Sequence, residues 1–161
     1  MNKLLILLIT FVASLAFALP EDSKQPIEIE AQSVVVDETT VFNEFSGNAE
    51  GRQGSLLLLA ELIQVQTNNE EVVSMIAKGS LEKPAKYIQS QENQARFIEA
   101  TATQITYDVD EGMIYLVGNA YLVQGFDSFS GDTLNYDVNN DKVVVKGSED
   151  GTERVKFKIV L

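Results

Sequence analysis

The sequence predicts an all-β fold, and three observations lead to that prediction. Apolar and polar residues alternate with a period of two in several short segments. Clusters rich in Gly, Asn and Asp separate these segments at intervals typical of strands joined by turns. One stretch of the chain recurs at a fixed offset, which is typical of stacked strand–turn–strand units. The length of 161 residues suits one domain and is too short for two ordinary ones.

Alternation is clearest in four segments, and in each the apolar side chains share one face of the predicted strand. The segments read IEIE from Ile27, IQVQ from Ile63, ITYDV from Ile105 and LNYDV from Leu134. Turn-forming residues follow three of the four segments, at 67–69, 110–112 and 139–141. We therefore expect antiparallel strands joined by short hairpin turns.

An internal repeat helps to choose between helix and strand where the alternation of apolar and polar residues is ambiguous. Segments 56–66 and 90–102 contain helix formers, so a helix stays open as an alternative there. Residues 47–74 align without gaps onto 118–145, with nine identical pairs in 28 positions. The first ambiguous segment falls on a part of the second copy that alternates as a strand, so we expect a strand in both copies. A strand unit of this kind cannot bury its apolar face alone, and the copies are expected to share one core.

The composition excludes most catalytic and metal chemistry. The chain has no His, Cys or Trp, which removes Ser-His-Asp triads, thiol nucleophiles and the usual zinc and haem ligands. A carboxylate site for calcium or a paired-carboxylate glycosidase remains compatible with the composition. The segment DVNND from Asp137 resembles the start of a calcium loop, but Lys142 and Ser148 replace its required Gly and Glu, so we interpret it as a hairpin turn. We predict no enzyme activity, no catalytic residue, no metal and no cofactor.

The charge balance limits the classes of binding partner that are expected. There are 24 acidic and 12 basic residues, giving a net charge of −12. Phosphate backbones and anionic membrane surfaces both attract an excess of Lys and Arg, so neither nucleic acid nor electrostatic membrane docking is expected.

The N-terminus has the pattern of an export signal. Lys3 precedes an apolar run, and Ala16 and Ala18 supply the small residues that precede a cleavage site. We predict a signal peptide at residues 1–18 that is cleaved, followed by a single domain at residues 19–161. An uncleaved membrane anchor is the alternative reading of the same run, although the run is short for a membrane span.

Seven short motifs, taken in order along the chain, resemble the OstA-like family. They are QPIEIEA (25–31), FSGNA (45–49), QGSL (53–56), AEL (60–62), KPA (83–85), LVGNAYL (116–122) and GDTLNY (131–136). The resemblance spans residues 25–155, nearly all of the predicted mature chain. The sequence departs from the family pattern in lacking a long basic tail and in its strong acidity.

The resemblance implies a fold and a function. The fold is an open antiparallel β-jellyroll, a V-shaped sandwich of about sixteen short strands. The function is that of a periplasmic carrier that moves lipopolysaccharide from the inner to the outer membrane, holding the lipid A acyl chains in an apolar groove. The implied partners are lipopolysaccharide, further copies stacked head-to-tail into a bridge, an inner-membrane-anchored LptC-like bridge subunit and an outer-membrane LptD-like translocon.

Two alternatives stay open. A membrane-anchored relative with the same fold would differ in retaining residues 1–18. A structural or adhesive envelope β-protein would assemble by edge-strand pairing and carry no lipid.

The candidate groove residues are the apolar members of the alternating segments and one aromatic. They are Ile27, Ile29, Ile63, Val65, Tyr87, Ile105, Tyr107, Val109, Leu134 and Tyr136. Tyr87 follows the KPA motif, where the resemblance implies an inward aromatic. The competing interpretation of every one of these residues is ordinary sandwich core. We also hypothesise that four cations gather at the groove mouth and offset the acidic charge near an anionic ligand: Lys78, Lys83, Lys86 and Arg96.

The two end strands of such a sandwich predict a mode of assembly. The first strand begins just after Pro26 and carries Glu28 and Glu30, and the last is expected at 155–160 with Lys156 and Lys158. Unpaired edges can add strands from another copy, and opposite charges favour head-to-tail order. The alternative is that these charges only block aggregation.

Overall fold

The computed structural model describes residues 22–37, 39–90 and 97–160. The predicted signal peptide at residues 1–18 and Arg96 lie outside these residues. In the described part the chain forms a 3-10 helix at Asp22–Lys24 and twelve strands, all paired antiparallel, so the all-β prediction is confirmed. The strands are β1 (Ile27–Glu30), β2 (Ser33–Val36), β3 (Phe42–Gln53), β4 (Leu56–Asn68), β5 (Glu71–Lys78), β6 (Ala85–Ser90), β7 (Phe97–Ala102), β8 (Gln104–Asp108), β9 (Met113–Gln124), β10 (Asp127–Asp137), β11 (Lys142–Lys146) and β12 (Lys156–Lys158).

The strands form two layers, because the four long strands β3, β4, β9 and β10 change partners half way along. Layer one runs β1–β3–β4–β6–β7–β9–β10–β12. Layer two runs β2–β3–β4–β5–β8–β9–β10–β11. Each layer therefore contains eight strand segments. The resemblance implied about sixteen short strands, and the described residues contain twelve because each long strand serves both layers without interruption.

Among the described residues, every chain crossing between the layers lies on one side, which we call the corner side. Strand β3 turns the corner at Gly47 and Asn48, and β9 turns it at Gly118 and Asn119, with φ values of 83°, 47°, 80° and 48°. Glycine adopts such values without steric cost and asparagine tolerates them, so this pair suits a bend inside a strand. The links from β1 to β2, β5 to β6, β7 to β8 and β11 to β12 also cross here.

The opposite side, which we call the mouth, is fringed by hairpin turns that stay within one layer. Layer one contributes the turns after β3 and β9, and layer two those after β4, β8 and β10. In the part of the chain that the structure describes, the two layers are thus covalently joined along the corner side, and across the mouth they meet through side chains.

The internal repeat has a structural counterpart along the whole described chain. At an offset of 71 residues, β1 to β6 correspond in order to β7 to β12, and each pair of strands occupies the same place in its half. The corner glycines match, and so do Gly54 and Gly125 in the hairpin turns, with φ of 59° and 61°. Two copies of a six-strand unit therefore build one two-layer structure.

The ambiguous segments form strands. Residues 56–66 lie within β4, so the repeat resolved that segment correctly. In the second segment Ser90 ends β6 and Phe97–Ala102 forms β7, whereas residues 91–96 are not described. The turns expected at 110–112 and 139–141 are present, and the calcium-loop segment is one of them. The turn expected at 67–69 was placed too early, because β4 continues to Asn68 and the turn falls at 69–70.

One hydrophobic core lies between the layers. Layer one contributes Leu56, Leu58 and Ile98, and layer two contributes Ile114 and Leu116, all with essentially no exposed surface. The spacing is close: a Cβ added at Gly51 in layer one would lie 3.9 Å from the Met75 sulfur in layer two. Small buried residues such as Ala49, Ala60, Ala120 and Gly131 lie at the corners, where the strands bend.

Candidate functional site

The mouth leads into a cleft between the layers with a volume of about 420 Å³. Tyr87 from layer one and Tyr107 from layer two face each other there, with ring centroids 6.1 Å apart. Polar and apolar side chains of both layers line the cleft: Asp22, Tyr87, Gln89, Tyr107, Val109, Asp110, Gly112, Val138 and Asn139.

All ten residues predicted to line a groove lie on the inner side of the two layers. Seven are buried, and Ile27, Ile29 and Val109 are half-buried against the same core. On β1 the neighbouring Glu28 and Glu30 are exposed, so the inward and outward faces of that strand were assigned correctly. The structure brings Tyr87, Tyr107 and Val109 to the cleft. Ile63, Val65, Ile105, Leu134 and Tyr136 lie in the core, and Ile27 and Ile29 lie on an end strand.

The sequence interpretation missed much of the layer-one side of the interior. Leu56, Leu58, Ile98, Ala100 and Leu122 all point inward and are buried. The sequence signal that could have identified them is the alternation of inward and outward residues along a strand, because alternate residues of β4, β7 and β9 are buried in the structure. The helix formers at 56–66 and 90–102 obscured it in β4 and β7.

The tyrosine hydroxyls of the cleft stay protonated well into the alkaline range. Burial is the main cause that raises the pKa of Tyr87 well above its usual value, and nearby Tyr107 and Asp22 add to it. The Tyr87 hydroxyl donates to Gln89 Oε1 at 2.7 Å. Burial also raises the pKa of Tyr107. The cleft therefore presents neutral phenols beside apolar side chains.

The N-terminal segment lies along layer one at the mouth. Asp22 accepts hydrogen bonds from the Ser55 backbone N–H at 2.9 Å, from the Ser55 hydroxyl, and from Gln89 Nε2 at 2.8 Å. Gln53 Nε2 donates to the Gln25 carbonyl at 3.1 Å. We call residues 22–25 the N-terminal strap, because these bonds hold them on layer one beside the entrance to the cleft, which Asp22 helps to line.

A second set of polar contacts spans the mouth near the turn after β10. Gln124 of layer one donates to Asp141 of layer two, and the Tyr136 hydroxyl donates to the same carboxylate oxygen at 3.0 Å. We call this group the mouth latch. Each such bond contributes about 0.5–1.5 kcal/mol net, so the latch holds the mouth weakly compared with a covalent joint.

The cations expected at the groove mouth are arranged differently. Lys83 bonds to Asn48 and lies 3.4 Å from a Glu61 oxygen, and Lys86 pairs with Glu99 at 2.7 Å. Lys83 lies by the corner side, where it lines a separate pocket with Pro84. Arg96 is not described. Among the described members, Lys83 and Lys86 are therefore largely neutralised, and they do not line the cleft.

The described residues contain no cluster of three or more acidic side chains placed to hold a metal ion. In the same part of the chain, no helix has the length and apolar character needed to cross a membrane.

These features define a class: a two-layer antiparallel β protein with an apolar interior, joined along one side and entered through a polar-rimmed mouth. The family model described as "LptA/(LptD N-terminal domain) LPS transport protein" matches residues 28–155. The chain belongs to this family.

Individual relatives agree with that assignment. The chain is 32% identical over 128 residues to the lipopolysaccharide export system protein LptA of Escherichia coli K12, covering 80% of this chain and 68% of that protein. It is 27% identical over 160 residues to LptA of Haemophilus influenzae, covering 99% of this chain and 91% of that protein.

A solved structure shares the fold. The crystal structure of LptH from Pseudomonas aeruginosa, described as the LptA-homologous periplasmic component of the lipopolysaccharide transport device, matches with a TM-score of 0.79. The match covers 88% of this chain and 100% of that one at 22% identity, so it shows the likeness of the fold.

Proposed function

We propose that this protein is a periplasmic carrier of lipopolysaccharide that holds the acyl chains of its cargo between the two β layers. Membership of the transport family supports the class of cargo. The observation that carries the mechanism is the one-sided joint: the crossings of residues 22–37, 39–90 and 97–160 all lie at the corner side, so the mouth edges can part without breaking the chain. In this view the layers form the open, V-shaped jellyroll implied by the family resemblance.

The energetics favour acyl chains as the part that is held. Burying one methylene contributes about 0.8 kcal/mol, so a few tens of methylenes outweigh any single polar contact. Entering chains replace contacts between Ile63, Tyr87, Ile105 and Leu134 with contacts of the same apolar kind. Parting the mouth breaks the Gln124–Asp141 hydrogen bond of the latch, whereas the bonds of the strap stay within layer one, which suits a carrier that must also release its load.

The overall charge of the protein also favours binding of the cargo through its acyl chains. A chain with net charge −12 repels an anionic headgroup on average. The cargo is therefore held mainly by its acyl chains, with its sugars outside the layers. No chemical step is assigned to this protein.

Copies assemble head-to-tail through their end strands in this proposal. Strands β1 and β2 leave one edge of each layer unpaired within the described residues, and β12 and β11 leave the other. Exposed Glu28 and Glu30 mark the first end, and exposed Lys156 and Lys158 mark the last. Joining the two would align the interiors of successive copies into one path between the membranes, with LptC-like and LptD-like partners at its ends.

Site-specific photocrosslinking tests the cargo. A photoreactive amino acid at Ile27 or Val109 should crosslink to lipopolysaccharide, because both side chains face inward at accessible places. The matched controls are Glu28 and Asn135, which face outward on β1 and β10. Equal yields from inward and outward positions would contradict the proposal.

Mass spectrometry of the exported protein separates the alternatives. We expect the chain to lack residues 1–18 and to carry co-purifying lipopolysaccharide. An intact N-terminus with bound lipid would indicate the membrane-anchored relative. A cleaved chain that assembles but binds no lipid would indicate the structural or adhesive protein.

A further inference from the structure

Two outer pockets at the corner side occupy equivalent places in the two halves of the molecule. The N-terminal pocket, of about 260 Å³, is lined by Asn48, Ala49, Glu50, Leu59, Ala60, Glu61, Lys83 and Pro84. The C-terminal pocket, of about 350 Å³, is lined by Asn119, Ala120, Tyr121, Ser130, Gly131, Thr152, Glu153, Arg154 and Lys156. Each lies where the link between the fifth and sixth strand of a half crosses the bend.

The repeat offset of 71 shows which residues differ between the two pockets. Lys83 corresponds to Arg154, so both pockets have a cation at the same place. Glu50 corresponds to Tyr121 and Leu59 to Ser130, so the C-terminal pocket exchanges a carboxylate and an aliphatic chain for two hydroxyl groups. Thr152 adds a third hydroxyl.

The cation is engaged in one pocket and free in the other. Lys83 bonds to Asn48 and pairs with Glu61. The side chains of Arg154 and Lys156 have no hydrogen-bond or ion-pair partner among the residues that the structure describes, and both residues are exposed. Glu153 is the one carboxylate in the lining, so the C-terminal pocket keeps a net positive charge in a chain of net charge −12.

This combination matches one chemical class of ligand. A guanidinium offers planar, paired N–H donors that fit phosphate oxygens, and a lysine ammonium adds a second positive charge. The Ser130 and Tyr121 hydroxyls, with the Glu153 carboxylate, can exchange hydrogen bonds with sugar hydroxyls, and the Thr152 hydroxyl, which donates to Asp150 at 2.7 Å, can accept one. A volume of about 350 Å³ is at the small end of ligand sites and suits a single sugar ring with its phosphate.

We propose that the C-terminal pocket binds a phosphorylated sugar through Arg154 and Lys156. The inference deepens the proposed function, because a phosphorylated sugar held outside the layers would belong to the headgroup of the same cargo. It also gives an acidic carrier one place where an anionic headgroup is attracted rather than repelled.

Nuclear magnetic resonance titration of the exported chain with small probes tests this site without any acyl chain. Glucosamine 1-phosphate should shift the backbone amides of residues 119–121, 130–131 and 152–156. Inorganic phosphate should shift fewer of them, and glucosamine alone should shift none. Arg154→Gln should weaken the apparent affinity for glucosamine 1-phosphate about ten-fold or more, since it removes a charged donor.

The equivalent pocket supplies the matched control. Lys83→Gln removes the same charge at the corresponding place and should leave the affinity unchanged, because Lys83 is already engaged. Both side chains are exposed, so both variants should keep the unfolding midpoint of the parent chain. Absent shifts at millimolar probe, shifts spread evenly over all basic residues, or equal losses in both variants would each overturn the site.

The proposed function can fail or succeed separately. Crosslinking of a photoreactive fatty acid from Val109 depends on the interior and needs no phosphate. Acyl binding without sugar-phosphate binding would refute the pocket alone. Sugar-phosphate binding without acyl binding would refute the acyl-carrier mechanism and leave the pocket standing.

Discussion

At the scale of single residues, the bend in each long strand depends on a backbone conformation that few side chains accept. Gly118 has a φ of +80°, and a Cβ at this position would lie 2.2 Å from Thr103 Oγ1. Thr103 is held in place because its hydroxyl donates to the Val117 carbonyl at 2.8 Å and its N–H to the Gly118 carbonyl at 2.9 Å. Both the φ value and the neighbour therefore require glycine.

We expect Gly118→Ala to lower the free energy of unfolding by about 2–4 kcal/mol, the sum of left-handed strain and displacement of Thr103. The control is Gly151→Ala, where φ is +76° but no atom lies within 4 Å of the added Cβ. That variant should lose only about 1–2 kcal/mol, the strain contribution. Urea unfolding of both measures the difference, and equal losses would show that Thr103 moves aside freely.

At the scale of elements, the N-terminal strap is the part best placed to control entry. It has no strand partner, and Asp22 alone accepts three of its hydrogen bonds to Ser55 and Gln89. The strap lies against the cleft that contains Tyr87 and Tyr107. Weakening the strap should therefore change how fast an acyl chain enters more than how stable the layers are.

We expect Asp22→Ala to raise the association rate of a fluorescent fatty acid about five-fold, the factor that corresponds to losing about 1 kcal/mol of restraint. Asp110→Ala is the matched control, since Asp110 lines the same cleft, whereas the described hydrogen bonds of the strap run to Gln53, Ser55 and Gln89. Stopped-flow fluorescence measures both rates. A similar acceleration in the two variants would mean that loss of charge, and not release of the strap, is the cause.

At the scale of the whole molecule, the two ends differ in charge and both leave strand edges unpaired in the described chain. Glu28 and Glu30 are exposed on β1, and Lys156 and Lys158 are exposed on β12. Exposed apolar side chains accompany them, with Val34, Val35 and Val36 on β2 and Phe157 on β12. Edges of this kind favour addition of strands from another copy.

We expect self-association that grows with protein concentration and weakens with salt, because the attraction between the ends is screened. Replacing Glu28 and Glu30 by Lys should weaken it markedly. The same change at Glu70 and Glu71, which lie at the turn into β5, should have little effect. Sedimentation velocity at low and high salt checks this, and a strictly monomeric parent chain would exclude head-to-tail assembly.

The sequence by itself determined the secondary structure and the sidedness of its strands. Alternation in IEIE placed Ile27 and Ile29 inward and the glutamates outward, because successive side chains of a strand face opposite ways. The repeat identified β4 as a strand, because the same turn and corner residues recur 71 positions later. The absence of His, Cys and Trp, together with the seven motifs in order, predicted a binding protein of this family.

Only the tertiary structure decided how those strands are distributed between two layers and which charged side chains form ion pairs. A bend inside β9 changes its partners from β8 to β7, and no local pattern states which partner a strand half will take. Lys83 bonds to Asn48 and pairs with Glu61, and Asn48 is 35 residues away in the sequence. Whether a cation such as Arg154 has a partner likewise depends on which distant side chains the fold brings to its corner. Strand periodicity is a local property of the backbone, whereas pairing and ion contacts arise only when distant segments are brought together.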